Sequence, residues 1–180
     1  MSAHRCSRLA RSRCLIRLER RLQFRHRLGA HAQYVGWGVQ FIDVDHDGRK
    51  DLVFVNGHVY PEVEQNPEMR FRQPRLVYWN VGGGKFMEIS DAAGQAFKES
   101  WSSRGSAIGD LDNDGSLELV INNMGARPSL LKNFGPKKQW LLVQCVGVKC
   151  NRQGVGARAY VYAGNRRLSG EVQTGVSYIS

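Results

Sequence analysis

Asp43-Val44-Asp45-His46-Asp47-Gly48-Arg49-Lys50-Asp51 and Asp110-Leu111-Asp112-Asn113-Asp114-Gly115-Ser116-Leu117-Glu118 are two copies of one pattern. Each sets carboxylates at positions 1, 3, 5 and 9, with a glycine at position 6. Alternate side chains of a tightly curled loop can point at one centre, and a hard cation wants several oxygen ligands at about 2.3–2.6 Å. Glycine tolerates the backbone angles of a sharp turn that brings position 9 back to position 1. Four acids so close together repel one another unless a cation sits among them. The pattern therefore predicts two calcium sites. Their candidate ligands are Asp43, Asp45, Asp47 and Asp51 with Arg49 at position 7, and Asp110, Asp112, Asp114 and Glu118 with Ser116 at position 7.

Two simpler explanations compete. A single Asp/Asn/Gly-rich turn between strands is common and often binds nothing, but two turns with the same carboxylate spacing are hard to obtain by chance. An EF-hand loop begins the same way and needs a bidentate Glu at position 12. The chain offers Phe54 and Ile121 there. The flanks Gly38-Val-Gln-Phe-Ile42 and Leu52-Val-Phe-Val55 are rich in β-branched and aromatic residues, which predicts strand–loop–strand sites.

Working outward, the pattern stays β. Arg75-Leu-Val-Tyr-Trp-Asn80 and Phe86-Met-Glu-Ile89 read as a hairpin across Gly82-Gly-Gly-Lys85. The stretch holding Pro61, Pro67 and Pro74 reads as a surface excursion. Around the second acidic loop, Arg104-Gly-Ser-Ala-Ile-Gly109 and Leu117-Glu-Leu-Val-Ile-Asn-Asn123 repeat the first arrangement, and Ser129-Leu-Leu-Lys-Asn133 echoes Leu76-Val-Tyr-Trp-Asn80. The unit is four short strands with an acidic loop between the first two. Repeated four-stranded units predict an all-β chain containing part of a β-propeller.

Asp-x-Asp-x-Asp-Gly-x-x-Asp/Glu followed by Leu-Val resembles the FG-GAP or VCBS repeat, over roughly residues 36–135. The last part, Gln139-Trp-Leu-Leu-Val-Gln144, Asn151-Arg-Gln-Gly-Val-Gly-Ala-Arg158 and Gly170-Glu-Val-Gln-Thr-Gly-Val-Ser-Tyr-Ile-Ser180, is similar to the ASPIC/UnbV domain. Asn56-Gly-His-Val-Tyr-Pro61 and Arg72-Gln-Pro-Arg-Leu76 also look like proteins of the cartilage acidic protein group, in which that module follows propeller repeats. The resemblance implies propeller repeats over 34–136 and a truncated, small β domain over 137–180. It implies calcium on the blade loops, an extracellular or cell-surface location, and a protein or glycan partner for a non-enzymatic, adhesive role. A closed ring in this family takes about seven blades, so the chain reads as a fragment with open blade edges. Such a fragment is expected to be weakly stable or to self-associate.

The chain carries a net charge of +10, yet the basicity is local. Residues 1–28 hold nine Arg and one Glu, a net of +8, which leaves +2 for the other 152 residues. This Arg-rich segment, taken as 1–33, could be an arm for phosphates, a targeting peptide, an amphipathic helix through Leu15, Leu18 and Leu22, or a segment not native to the domain. The abrupt change of composition near Gly29 favours the last, and a disordered or non-native segment is expected. It has no uninterrupted apolar core of about 7–15 residues as a secretory signal would. No stretch of the chain is apolar for long enough to span a membrane as a helix.

Other motifs point away from catalysis. Gly154-Val-Gly-Ala-Arg-Ala159 fits a dinucleotide fingerprint, but Tyr160-Val-Tyr-Ala163 after it wants to be a strand where a helix is needed. Gly82-Gly-Gly-Lys85 lacks P-loop spacing. His46 is expected to be solvated, and His58 could act as a general base but has no evident nucleophile beside it. Trp37, Trp79, Trp101 and Trp140 are expected to pack between strands. Cys145 and Cys150 flank a turn and could be bridged or free. The alternatives kept open are a carbohydrate-active or hydrolytic enzyme using His58, and nucleic-acid or anionic-surface binding through the Arg-rich segment.

Overall fold

The computed structural model describes residues 34–149 and 151–175, together with the backbone of Gln23 and Phe24. The expectations for residues 1–33 fall outside the described residues apart from that short backbone stretch. So does Cys150, and with it the question of a bridge to Cys145.

The chain is mostly β, in several small antiparallel sheets. The first sheet is a meander of β2 (Gly36–Ile42), β3 (Asp51–Asn56), β5 (Leu76–Gly82) and β6 (Lys85–Glu88), with β1 (Gln23–Phe24) added in parallel at the β6 edge. The second contains β8 (Ser103–Gly109), β9 (Glu118–Asn123) and β10 (Ser129–Leu131), in the order β10-β9-β8. Between them, β4 (Gln73–Pro74) pairs with β7 (Ser100–Trp101), and the short helix α1 (Gln95–Lys98) follows β6. Near the end, β11 (Arg158–Ala163) and β12 (Arg166–Glu171) form a hairpin.

The β5–β6 turn has a local cause. Gly82, Gly83 and Gly84 all take positive φ, so the β5–β6 hairpin turns where only glycine turns freely. The proline-containing stretch after β3 runs over the surface through a 3-10 turn at Pro61–Gln65. The strand β11 begins at Arg158, inside the Gly154–Ala159 motif, which removes the helix a phosphate loop would require.

The register of the two acidic hairpins is the same. Ile42 pairs with Asp51 in the first and Gly109 with Glu118 in the second, so position 9 of each motif is already a strand residue. Alternation along β3 sends Val53 and Val55 to one face and Leu52 and Phe54 to the other. On the first face Ile42, Val53, Val55 and Val77 pack against Leu119 and Ile121 of the second sheet, forming one core between the sheets. On the other face Leu52, Leu76, Tyr78 and Phe86 pack together, with Phe54 meeting Tyr78 edge to face at 5.5 Å. β2 and β8 run side by side: Gln40 is buried and its Nε2 donates to the Ser106 carbonyl at 2.6 Å.

Arg75 crosses the same boundary. Its Nη2 donates to Ser129 Oγ at 2.7 Å and Asn123 Oδ1 at 3.4 Å, and its Nη1 to the Ala96 carbonyl at 3.2 Å. It is buried, which pulls its pKa below the ordinary guanidinium value, with Glu99 acting the other way. Beside this contact the sheets leave an open, largely apolar groove of about 630 Å³ lined by Val77, Phe97, Leu119 and Leu131.

Among the described residues the sheets do not close into a ring. The first unit has its four antiparallel strands, whereas the second stops at three. Among the described residues of 137–175 the regular structure is the β11–β12 hairpin, and Leu141, Leu142, Val146 and Val148 are exposed.

Ile121 is fully buried at the junction of the two sheets, whereas Leu130 on the edge strand is 62 % exposed. Ile121→Ala is therefore expected to cost about 2–5 kcal/mol through lost burial and a cavity, and Leu130→Ala less than about 0.5 kcal/mol. Urea-denaturation midpoints of the two variants check this contrast.

Candidate metal centre

The two acidic loops curl alike at positions 4 and 6. His46 and Asn113 at position 4 take left-handed φ of 56° and 57°, and Gly48 and Gly115 at position 6 take 86° and 84°. Asn and His tolerate that region better than most residues, and glycine enters it without strain. The position-1 carboxylate then caps the turn. Asp43 accepts from Asp47 N at 3.0 Å and Gly48 N at 2.8 Å, and Asp110 accepts from Asp114 N at 3.0 Å and Gly115 N at 2.9 Å. The position-9 carboxylate closes the loop from below, with Asp51 accepting from Val44 N and Glu118 from Leu111 N, both at 2.8 Å.

This geometry gathers positions 1, 3 and 9. Asp43, Asp45 and Asp51 each offer a carboxylate oxygen within 4.8 Å of the others, and Asp110, Asp112 and Glu118 do the same. Two clusters of three carboxylates could each hold a metal ion. The position-5 carboxylates, Asp47 and Asp114, are not among these groups. Asp47 turns to its own neighbourhood, accepting from Arg49 N at 2.8 Å and pairing with the Arg49 guanidinium. Asp114 accepts from Ser116 N at 2.8 Å and pairs with Lys137 Nζ at 3.0 Å. Those contacts, the Ser116 N–H first and then Lys137, hold the Asp114 carboxyl down at about 2. Arg49 Nε reaches the Asn80 carbonyl, and the Ser116 hydroxyl lies 3.5 Å from His46 Nε2.

The clusters differ in how far the protein satisfies them. In the first, Asp51 is fully buried and both its oxygens accept main-chain N–H groups, from Val44 and from Asn80, each at 2.8 Å. Desolvation nevertheless raises its pKa, against those two hydrogen bonds and with the help of Asp45 and Asp43. Asp45 Oδ2 accepts the Trp79 indole N–H at 2.9 Å. In the second cluster Glu118 is 3 % exposed, and its Oε1 finds no hydrogen-bond donor among the described residues. A buried carboxylate oxygen left bare is costly unless a cation faces it. All donors in both clusters are hard carboxylate oxygens, which suits calcium or magnesium over zinc.

Sequence reasoning missed several partners of these loops. His46 does not simply face solvent; it bridges to Ser116 of the other loop, so the two loops touch. Trp79 and Trp140 are also loop partners: the Trp79 indole N–H donates to Asp45 Oδ2, and a Cβ on Gly115 would run into the Trp140 ring. Trp37 sits beneath the Arg104 guanidinium at 4.6 Å, and Arg72 lies 5.8 Å over Trp101. His58 lines neither described cavity; its Nδ1 accepts distantly from Tyr60 N at 3.4 Å, and its carbonyl takes Ser102 Oγ and Arg104 Nη2. No signal in one sequence marks these approaches, because they join residues far apart along the chain.

Gly115 and Gly84 separate two causes of glycine dependence. Gly115→Ala meets both a positive φ and the Trp140 ring, whereas Gly84→Ala at φ 74° meets open space. Gly84→Ala is expected to cost about 1–2 kcal/mol from backbone strain alone. Gly115→Ala should cost more and shift Trp140 emission toward that of an exposed indole, read by thermal denaturation and fluorescence.

Compared with protein-family models, with curated proteins and with solved structures, the chain finds no match.

Proposed function

We propose that this chain is a calcium-stabilised part of a β-propeller from a secreted or cell-surface protein, with a structural and adhesive role and no catalytic one. The observation that carries the metal assignment is the bare, buried Glu118 Oε1 inside a three-carboxylate cluster. A divalent ion there would meet Asp110, Asp112 and Glu118 and offset their mutual repulsion. The first loop repeats the arrangement with Asp43, Asp45 and Asp51. Calcium suits such sites because it accepts six to eight oxygens in adaptable geometry, the remainder coming from main chain or water. Affinities of about 10⁻⁴–10⁻³ M are those of extracellular modules.

The propeller assignment is supported by a four-stranded meander followed by a second sheet whose first strand lies against the first strand of its predecessor. Repeated units of that kind bury their faces against neighbours. The partner would be a protein or glycan bound on the blade surface, and the exposed apolar residues at 130 and 141–148 are the places where further chain or a second copy would pack. Among the described residues no helix is long and apolar enough to cross a membrane.

The full chain is titrated with calcium after chelator treatment, by calorimetry and thermal denaturation. At about 10 mM calcium and the affinities above, mass action gives roughly 1.4–2.7 kcal/mol of added stability for each site that fills. Glu118→Gln keeps the shape and the Leu111 N–H bond while removing the charge, so it should weaken calcium binding about tenfold or more. In chelator the same change should leave stability equal or higher, because an uncompensated buried charge is gone. Asp45→Ala with Asp112→Ala should abolish the calcium effect. No heat and no melting shift in the parent chain would remove the proposal.

A further inference from the structure

The stretch that leaves β10 is fastened to both acidic loops by cations and main-chain contacts. Lys132, the first residue after β10, places Nζ on Asp112 Oδ2 and 3.7 Å from Asp114 Oδ2. Lys137 pairs with Asp114 at 3.0 Å, and Lys138 Nζ donates to the Asp45 and His46 carbonyls at 3.0 and 2.9 Å. Between them Asn133 Nδ2 donates to the Val44 carbonyl at 2.8 Å, and beyond them Trp140 lies on Gly115.

We propose that Lys132 is a built-in competitor for the second metal site: its ammonium holds Asp112 when no ion is bound and is expelled when a divalent ion enters, so that Lys132 sets the site's affinity and residues 132–140 shift with occupancy. This rests on the assignment of Asp110, Asp112 and Glu118 as an ion site. Asp112 is the member of that trio reached by a cation of the chain, and Glu118 Oε1 is the member left bare. An ammonium on Asp112 and a doubly charged ion among the same three carboxylates repel at a separation of a few ångströms. One carboxylate cannot serve both at full strength. Asp112 is 44 % and Lys132 36 % exposed, so the pair by itself adds little to stability and can open without unfolding the loop. Among the described residues the first loop has no such competitor on its trio; Lys138 touches carbonyls there, and Asp45 accepts a neutral indole N–H.

The test is a calcium titration of the chelator-treated full chain by calorimetry, for the parent, Lys132→Gln, Lys132→Arg and the exposed control Lys98→Gln. Removing one positive charge at contact distance from the site should tighten the weaker or single calcium transition about threefold to tenfold in Lys132→Gln. Lys132→Arg keeps the charge and should bind like the parent, and Lys98→Gln should also match it. Calcium should change tryptophan emission in the parent, and Trp140→Phe should remove most of that change. Equal affinities for the parent and Lys132→Gln, or equal tightening by Lys98→Gln, would overturn this proposal while leaving calcium binding intact. Absence of calcium heat in every variant would instead defeat the metal assignment itself.

Discussion

A buried carboxylate at the foot of each acidic loop holds the rest of the structure in register. Asp51 and Glu118 sit in the second strand of their hairpins, yet each reaches back to the main-chain N–H of position 2. That bond closes the loop, and the loop in turn determines which residues of the two strands face each other. A slip of one residue would send Val53 and Val55 to the face now held by Leu52 and Phe54. Asp51 extends the control one strand further by accepting from Asn80 N, which ties β5 to the loop as well. The cost is charge concentrated where water is scarce, and the raised Asp51 pKa and the bare Glu118 oxygen are two expressions of it.

The sheets above these loops are joined by two different kinds of contact. Apolar burial between Val55, Val77, Leu119 and Ile121 supplies a non-directional attraction. Gln40 of β2 and Arg75, just ahead of β5, supply direction, each reaching a defined acceptor in the second sheet. Buried polar groups of this type rarely add much net stability, but leaving them unpaired is expensive, so they penalise alternative packings. The two sheets are thereby held at one offset, and that offset brings His46 to Ser116 and the two acidic loops side by side.

Cations of the chain already gather around the loops. Lys132 and Lys137 meet the second loop, Arg49 lies within the first, and Arg166 Nη1 donates to the Asp47 carbonyl at 3.1 Å from the distant β12 strand. Arg49 and Lys137 thereby pair with the position-5 acids Asp47 and Asp114, and Lys132 with Asp112 at position 3 of the second loop. The consequence is a division of labour within one motif: some acids bind the chain's own cations, and others converge in groups of three that could hold a metal ion. Leu168 and Trp140 pack over Gly48 and Gly115, so the last segment covers the loops from outside.

Much of the local architecture was legible in the residues themselves. The alternation of Val39-Gln40-Phe41-Ile42, the three glycines of 82–84 and the spacing of acids around Gly48 and Gly115 act over a few residues, where sterics and hydrogen bonding within the loop dominate. Strands, hairpins and the curl of each loop followed from them. Which acids converge did not. Position 5 has the same apparent claim as 1, 3 and 9 until Arg49 and Lys137 pair with Asp47 and Asp114. The pairing of His46 with Ser116, the indole on Asp45 and the Arg75 crossing likewise join residues 34 to 70 positions apart. The sequence by itself determined two acidic strand–loop–strand units; only tertiary packing decided which carboxylates converge on one another and which pair with the chain's own cations and N–H groups, because charges compete for partners through space.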